Sequence, residues 1–190
     1  NEIKEAAALN DFIGLNYYQP KRVAKNYAST EAVVTGREQS TGAPGNVSFD
    51  GAYKTVKMED KVYTKWGWEI SPEGFIQGLR MLKKRYGDVK LYITENGLGD
   101  EDPIIEGEIV DVPRINYIKE HLRAVKTAIG EGINLKGYYA WSVIDLLSWL
   151  NGFKKQYGFI YVDHKNNYNR KKKLSFYWYK HIIETRGEEL

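Results

Sequence analysis

The chain has 190 residues, 42% of them hydrophobic and 28% charged, which places it among chains able to bury a core and excludes a wholly disordered segment. Its 28 Lys and Arg against 25 Asp and Glu leave a formal charge of +3, too small and too dispersed for an electrostatic nucleic-acid binder. The absence of cysteine excludes a disulfide framework, a thiol nucleophile and a cysteine zinc site, and fits a reducing compartment.

From the start, an Ala/Glu/Lys-rich opening carries no apolar signal core, and nowhere does an apolar stretch approach the roughly 20 residues that span a bilayer. An apolar and aromatic run from Phe12 to Tyr18 ends at Pro20, which predicts a helix end followed by a strand. About 45 residues rich in Gly, Ser, Thr, Asn and Tyr follow; inside a compact domain, a loop that long is functional or carries small hairpins. Within it, Asn46-Val47-Ser48 has the form of a glycosylation acceptor, a triplet that is common by chance.

Ser71-Pro72-Glu73 supplies an N-cap, a first-turn proline and a first-turn acid. Phe75, Ile76, Leu79, Leu82 and Tyr86 then recur at helical spacing until Gly87. Val89 to Thr94 is nearly unbroken apolar sequence, as expected of a strand buried on both faces, and it stops at Glu95-Asn96-Gly97. An acidic stretch from Asp100 to Glu108 reads as a solvated loop. Asp111 and Pro113 start a second helix whose inward face is predicted to be Ile115, Ile118, Leu122, Val125 and Ile129, ending near Gly130 and Gly132. Leu135 to Ser142 predicts another apolar strand and Phe159 to Val162 a short extra one. Lys171-Lys172-Lys173 reads as a solvated approach to a last helix, Leu174 to Thr185, with Phe176, Tyr179, Ile182 and Ile183 inward.

Strands alternating with helices in this way predict parallel βα units joined by right-handed crossovers. A (β/α)₈ TIM barrel takes eight strands and typically about 250 residues, so the expected fold is its C-terminal portion, about the last three βα units. On that reading residues 1–190 are one unit and the N-terminal part of the barrel is missing. A doubly wound sheet competes, but no Gly-rich phosphate turn follows the first strand.

Glu95 ends a predicted buried strand, the end at which barrel enzymes keep catalytic groups, and Gly97 is expected to let the chain turn sharply away beneath it. Position alone leaves open a catalytic role and a loop-anchoring or ion-paired one. The 15 Tyr, 5 Trp and 6 Phe favour carbohydrate only weakly, because most aromatic side chains fill core.

Four segments carry a resemblance. Leu91-Tyr92-Ile93-Thr94-Glu95-Asn96-Gly97 resembles the nucleophile strand of glycoside hydrolase family 1, and Asp11-Phe12-Ile13-Gly14-Leu15-Asn16-Tyr17-Tyr18 its sixth strand. Gly67-Trp68-Glu69-Ile70-Ser71-Pro72-Glu73-Gly74 is similar to the entry to the following helix, and Gly137-Tyr138-Tyr139-Ala140-Trp141-Ser142 to the eighth strand. The resemblance implies retaining hydrolysis of a β-glycoside, with Glu95 attacking the anomeric carbon and Tyr18 donating a hydrogen bond that aims it. It also implies that Asn16 lines the sugar site, Trp141 lies beneath the ring and Trp68 borders the leaving-group side.

Retaining hydrolysis needs a second carboxyl about 5–5.5 Å from the nucleophile. The family's Thr-Phe-Asn-Glu-Pro acid motif does not occur in this sequence, and Glu69, Glu73 and the acidic loop are poor substitutes, so the chain is expected to be inactive alone.

Where many members carry Glu before Trp, this chain has Ser148-Trp149. The stretch from Ser148 to Tyr157 is similar to the phosphate pocket of 6-phospho-glycosidases, with Ser148, Lys155 and Tyr157 as the phosphate-binding set and Trp149 beside the substrate. The resemblance implies a 6-phospho-β-glycoside as substrate, gluco favoured over galacto, and a cytoplasmic location by analogy with phosphotransferase import. A non-catalytic sugar-phosphate-binding fragment is the alternative. Expected partners are that substrate, the missing N-terminal half of the barrel and possible self-association, with no nucleic acid and no membrane. No metal or organic cofactor is implied; His121, His164 and His181 lack ligand spacing.

Overall fold

The computed structural model describes residues 9–25, 48–49 and 52–190, with Glu2 and Glu5 as isolated positions. Much of the long polar stretch, including Asn46 and Val47 of the glycosylation-type triplet, lies outside the described residues, as does most of the opening segment. Three strands make the central sheet: β1 (Ile13–Asn16), β5 (Leu91–Asn96) and β8 (Leu135–Ala140), in the order β1-β5-β8 and parallel throughout. Between β1 and β5 lie β2 (Val23–Lys25), β3 (Ser48–Phe49) and β4 (Tyr53–Thr55), a small antiparallel sheet, followed by helix α1 (Pro72–Tyr86). The hairpin of β6 (Ile104–Ile105) and β7 (Glu108–Ile109) precedes α2 (Val112–Gly130). A second hairpin, β9 (Ile160–Asp163) with β10 (Asn169–Lys172), precedes α3 (Leu174–Glu184).

A wholly parallel arc crossed by α1 and α2 is a partial α/β barrel. The extra strand after β8 does not extend the arc: β9 pairs antiparallel with β10.

Local chemistry explains α1. Ser71 Oγ accepts from the Gly74 N–H at 3.0 Å, Pro72 occupies the first turn, and Gly87 closes the helix at φ 73°, where a β-carbon would be strained. The helix buries Phe75, Ile76 and Leu79 against Leu91 and Ile93 of β5 and Ala124 and Ala128 of α2. At about 1.5–3 kcal/mol for each large side chain taken from water, this cluster is the main thermodynamic reason for α1 and α2 to share one face of β5.

Three expectations change here. In β5 only Leu91 and Ile93 are buried in the helix-facing core, while Thr94 is exposed, so the strand is covered on one face by the described residues. The buried side of α2 is Arg114, Tyr117, Ile118, His121, Ala124 and Ala128, whereas Ile129 is 51% exposed. Polar residues there have partners and small alanines admit close packing, neither of which a hydrophobic period registers. In α3, Ile182 is buried but Ile183 is 61% exposed. No helix among the described residues is long and apolar enough to cross a membrane.

Candidate active site

A step in the β1–β5 ladder decides where Glu95 points. Ile13, Gly14 and Leu15 face Leu91, Tyr92 and Ile93 in turn, but Asn16 faces Glu95 rather than Thr94. The extra residue changes the side-chain parity: Leu91, Ile93 and Asn96 are all buried, and Thr94 and Glu95 are left on the open face. There the Thr94 hydroxyl donates to Asn16 Oδ1 at 2.6 Å, and the Tyr18 hydroxyl donates to Glu95 Oε2 at 2.7 Å. Burial and the neighbouring carboxylate push the Tyr18 hydroxyl far up, so it stays a donor.

Asn96 holds the strand ends together from the buried side. Its Nδ2 donates to Tyr17 O at 2.7 Å and to the Tyr117 hydroxyl at 3.1 Å, while its Oδ1 accepts from the Tyr138 hydroxyl at 2.6 Å. Tyr117 in turn donates to Tyr18 O at 3.0 Å. One fully buried amide thereby ties the end of β1, α2 and β8 around Glu95, with every polar atom partnered.

Gly97 is required by proximity, not by a sharp turn. A β-carbon there would lie 1.9 Å from Trp141 O, and its φ is not in the left-handed region. The same approach allows Trp141 N to donate to Asn96 O at 2.8 Å, which fixes Trp141 at the end of β8 next to β5. The Trp141–Ser142 peptide bond is cis.

After β8 the chain brings Lys155 back into the interior. Lys155 is 1% exposed, and its ammonium has no hydrogen-bond partner among the described residues. It lies 3.5 Å from the centre of the Trp68 ring, 5.2 Å from Trp66 and 5.5 Å from Tyr157. Burial lowers its pKa from 10.5 to about 8, against a smaller upward pull from Asp100. Trp68 also meets the Tyr18 ring edge-on, with centroids 5.5 Å apart, so an aromatic surface runs from the Glu95 hydrogen bond to the ammonium. Ser148 exchanges main-chain hydrogen bonds with Gly152, which sits at φ 59°, and its Oγ accepts from Asn151 Nδ2 at 3.4 Å. Trp149 is 96% exposed and stands apart from this cluster.

Neither Glu69 nor Glu73 is positioned as a free acid: Glu69 is buried in a bidentate pair with Arg22 at 2.6 and 2.7 Å, and Glu73 is exposed on the first turn of α1.

The family model for Glycosyl hydrolase family 1 matches residues 1–188. The chain belongs to glycosyl hydrolase family 1. It is similar to an aryl-phospho-β-D-glucosidase, BglC, of Bacillus subtilis (strain 168), with 41% identity over 187 residues that cover 95% of this chain and 39% of that protein. It is also similar to a 6-phospho-β-galactosidase of Leptotrichia buccalis, 39% identical over 188 residues, covering 97% of this chain and 39% of the relative. Among solved structures, the family 1 β-glucosidase from Thermotoga maritima superposes with a TM-score of 0.82 at 33% identity, covering all of this chain and 38% of the other. This family 1 chain therefore spans about 39% of the length of the curated relatives it matches.

Two predictions about charged residues are overturned. Lys173 does not join Lys171 and Lys172 in solvent: it is fully buried, donating to Asp102 at 2.5 Å and Asp145 at 2.7 Å. Asp102 accordingly leaves the solvated acidic loop and enters the interior, where Arg114 also meets it. Sequence reasoning passed over Trp66 and Asn151 as well; Trp66 Nε1 donates to Asn151 Oδ1 at 3.1 Å, bracing the wall beside Lys155. Only the contrast of three lysines before an apolar helix, one of them at its N-cap, hinted at the first of these.

Proposed function

We propose that this chain supplies the nucleophile and the phosphate-binding loop of a retaining 6-phospho-β-glycosidase, with gluco preferred to galacto. The observation that carries the proposal is the Lys155 ammonium, buried without an acceptor beside the aromatic surface that leads to Glu95. A buried cation without an anion is costly, and a sugar 6-phosphate supplies roughly −1.5 to −2 charges by analogy with phosphorylated side chains. The likeness to two relatives, a phospho-glucosidase and a phospho-galactosidase, supports the phosphate and keeps the galacto preference as the second reading.

In this reaction Tyr18 holds one oxygen of Glu95 and the other attacks the anomeric carbon as the bond to the aglycone oxygen breaks. That oxygen leaves with a proton from a carboxylic acid on the part of the barrel outside this chain. The same group, now a base, takes a proton from water, which displaces Glu95 and releases the sugar 6-phosphate. Trp141 and Asn16 contact the ring, Trp68 borders the substrate, and Ser148, Lys155 and Tyr157 hold the phosphate. A cytoplasmic location accompanies this substrate class, since phosphorylated glycosides arise on import.

The test is complementation. The 190-residue chain, alone and mixed with the N-terminal barrel segment of a phospho-glycosidase relative, is assayed on chromogenic β-glucoside 6-phosphate, its galacto epimer and the unphosphorylated glucoside. Turnover of the phosphorylated glucoside by the mixture alone supports the reading. Equal turnover of plain and phosphorylated glucoside would refute it, and binding without turnover would favour a sugar-phosphate binder.

A further inference from the structure

Behind the Ser148–Tyr157 loop lies a buried ionic cluster that the proposed reaction does not use directly. Asp111, Arg114, Lys173 and Ser175 are at most 1% exposed, and the side chains of Asp102 and Asp145 are 4% and 6% exposed. Asp111 anchors it, accepting from Arg114 Nε at 2.9 Å, from Ser175 N at 2.9 Å and from Ser175 Oγ at 2.5 Å. Buried ion clusters are poor devices for stability alone, because well-packed apolar residues of similar volume often do as well or better. What distinguishes this one is where its hydrogen bonds end.

They converge on the main chain of residues 156–158. Arg114 Nη1 donates to Tyr157 O at 3.1 Å and Nη2 to Gln156 O at 3.4 Å, while Asp145 Oδ1 accepts from Tyr157 N at 3.2 Å and from Gly158 N at 2.8 Å. The peptide units on both sides of Tyr157 are thus held from two directions, one by a guanidinium and the other by a carboxylate. Lys173 bridges Asp145 to Asp102, so the two clamps form one unit.

Arg114 also holds the facing wall. It donates to Leu98 O and pairs with Asp102 at 2.6 and 2.8 Å, fixing the segment that contains Gly99. That segment lies directly against the phosphate-binding side chains: a β-carbon on Gly99 would fall 2.4 Å from Lys155 Cε and 2.6 Å from Tyr157 Cε1. Asp100 and Gln156 close the wall by exchanging main-chain hydrogen bonds at 2.9 and 2.8 Å.

We infer that Arg114 and Asp145 are positioning residues for anion recognition: they clamp the two main-chain segments between which Lys155 and Tyr157 project, so both side chains are aimed before the phosphate arrives. The inference rests on the phosphate reading above. The planar guanidinium suits the task, since it serves three carbonyls and the carboxylates of Asp102 and Asp111 in a fixed fork that an ammonium cannot reproduce. Pre-aimed donors matter because ordering a long side chain on binding costs about 0.5–1.5 kcal/mol, up to about 10-fold in affinity, a cost already met when the side chain is held in place beforehand.

Titration calorimetry of the 190-residue chain with glucose 6-phosphate and with glucose tests it, using Lys155→Ala, Arg114→Lys, Asp145→Ala and the double variants with Lys155→Ala. Each positioning variant should weaken glucose 6-phosphate by about 10-fold and glucose by less than 2-fold, and should have no further effect on glucose 6-phosphate in the Lys155→Ala background. A structural role would lower the melting temperature without moving the ratio of the two affinities. If Lys155→Ala is selective but neither positioning variant shifts that ratio, the inference fails and the phosphate reading stands. If Lys155→Ala weakens both ligands equally or neither, the phosphate reading fails first and takes the inference with it. Should Arg114→Lys unfold, Asp145→Ala decides; unfolding of both would assign the cluster to stability and overturn the inference.

Discussion

Replacing Lys155 by Met should make the ligand-free chain more stable at neutral pH while removing its hold on phosphate. Each tenfold change in proton affinity is worth about 1.4 kcal/mol, so a fall from 10.5 to about 8 means that burial disfavours the ammonium by about 3 kcal/mol. The rings of Trp66, Trp68 and Tyr157 return part of this through cation–π attraction, about 0.5–2 kcal/mol, and methionine keeps an unbranched apolar stem with a sulfur suited to the same rings. The expected gain at pH 7 is therefore about 1–3 kcal/mol. The folded pKa lies below the unfolded one, so the penalty is complete below pH 8, shrinks as pH rises through 8, and is gone above about 10.5. Urea unfolding at fixed protein concentration should show the variant ahead of the parent at pH 7, with the gap closing toward pH 10.5. A variant less stable than the parent at pH 7, or a gap that ignores pH, would show that Lys155 is not a charged group held against its preference.

Glu95→Gln in the complemented barrel should abolish covalent labelling by a fluorinated mechanism-based glycoside, seen by intact mass, while substrate affinity changes by less than about 3-fold; labelling of another carboxylate would move the nucleophile. Ser148→Glu should lower kcat/KM for the phosphorylated glucoside by at least about 10-fold and shift preference toward the plain glucoside, because a carboxylate repels the dianion and accepts from free hydroxyls. Equal losses on both substrates would remove the phosphate pocket from this loop. Gly97→Ala should cost about 2–3 kcal/mol in urea unfolding, since the added carbon meets the Trp141 main chain and not a side chain that could turn aside. An unchanged midpoint would mean that the strand ends separate freely.

The sequence by itself determined whatever depends on residues a few positions apart. Ser71, Pro72 and Gly87 bounded α1 because capping is local, and the apolar run ending in Glu95-Asn96-Gly97 located the central strand because a core strand needs little else. The nominated site residues could be named because ordered segments, not single residues, carry the family resemblance. Tertiary structure alone decided which charges are inside. Lys173, Arg114, Asp102 and Asp111 have the composition of a solvated surface and the position of an interior, because the partners that permit their burial come from segments up to 71 residues away, as in the Lys173–Asp102 pair, and Lys155 is enclosed by the rings of Trp66 and Trp68 from the far side of β5 in sequence. The orientation of Glu95 was equally hidden, since one extra residue in the β1–β5 register sets it, and register is a property of two strands. Hydrophobic periodicity reports how one element meets an apolar neighbour; it is blind to a buried polar group whose partner arrives from elsewhere in the chain.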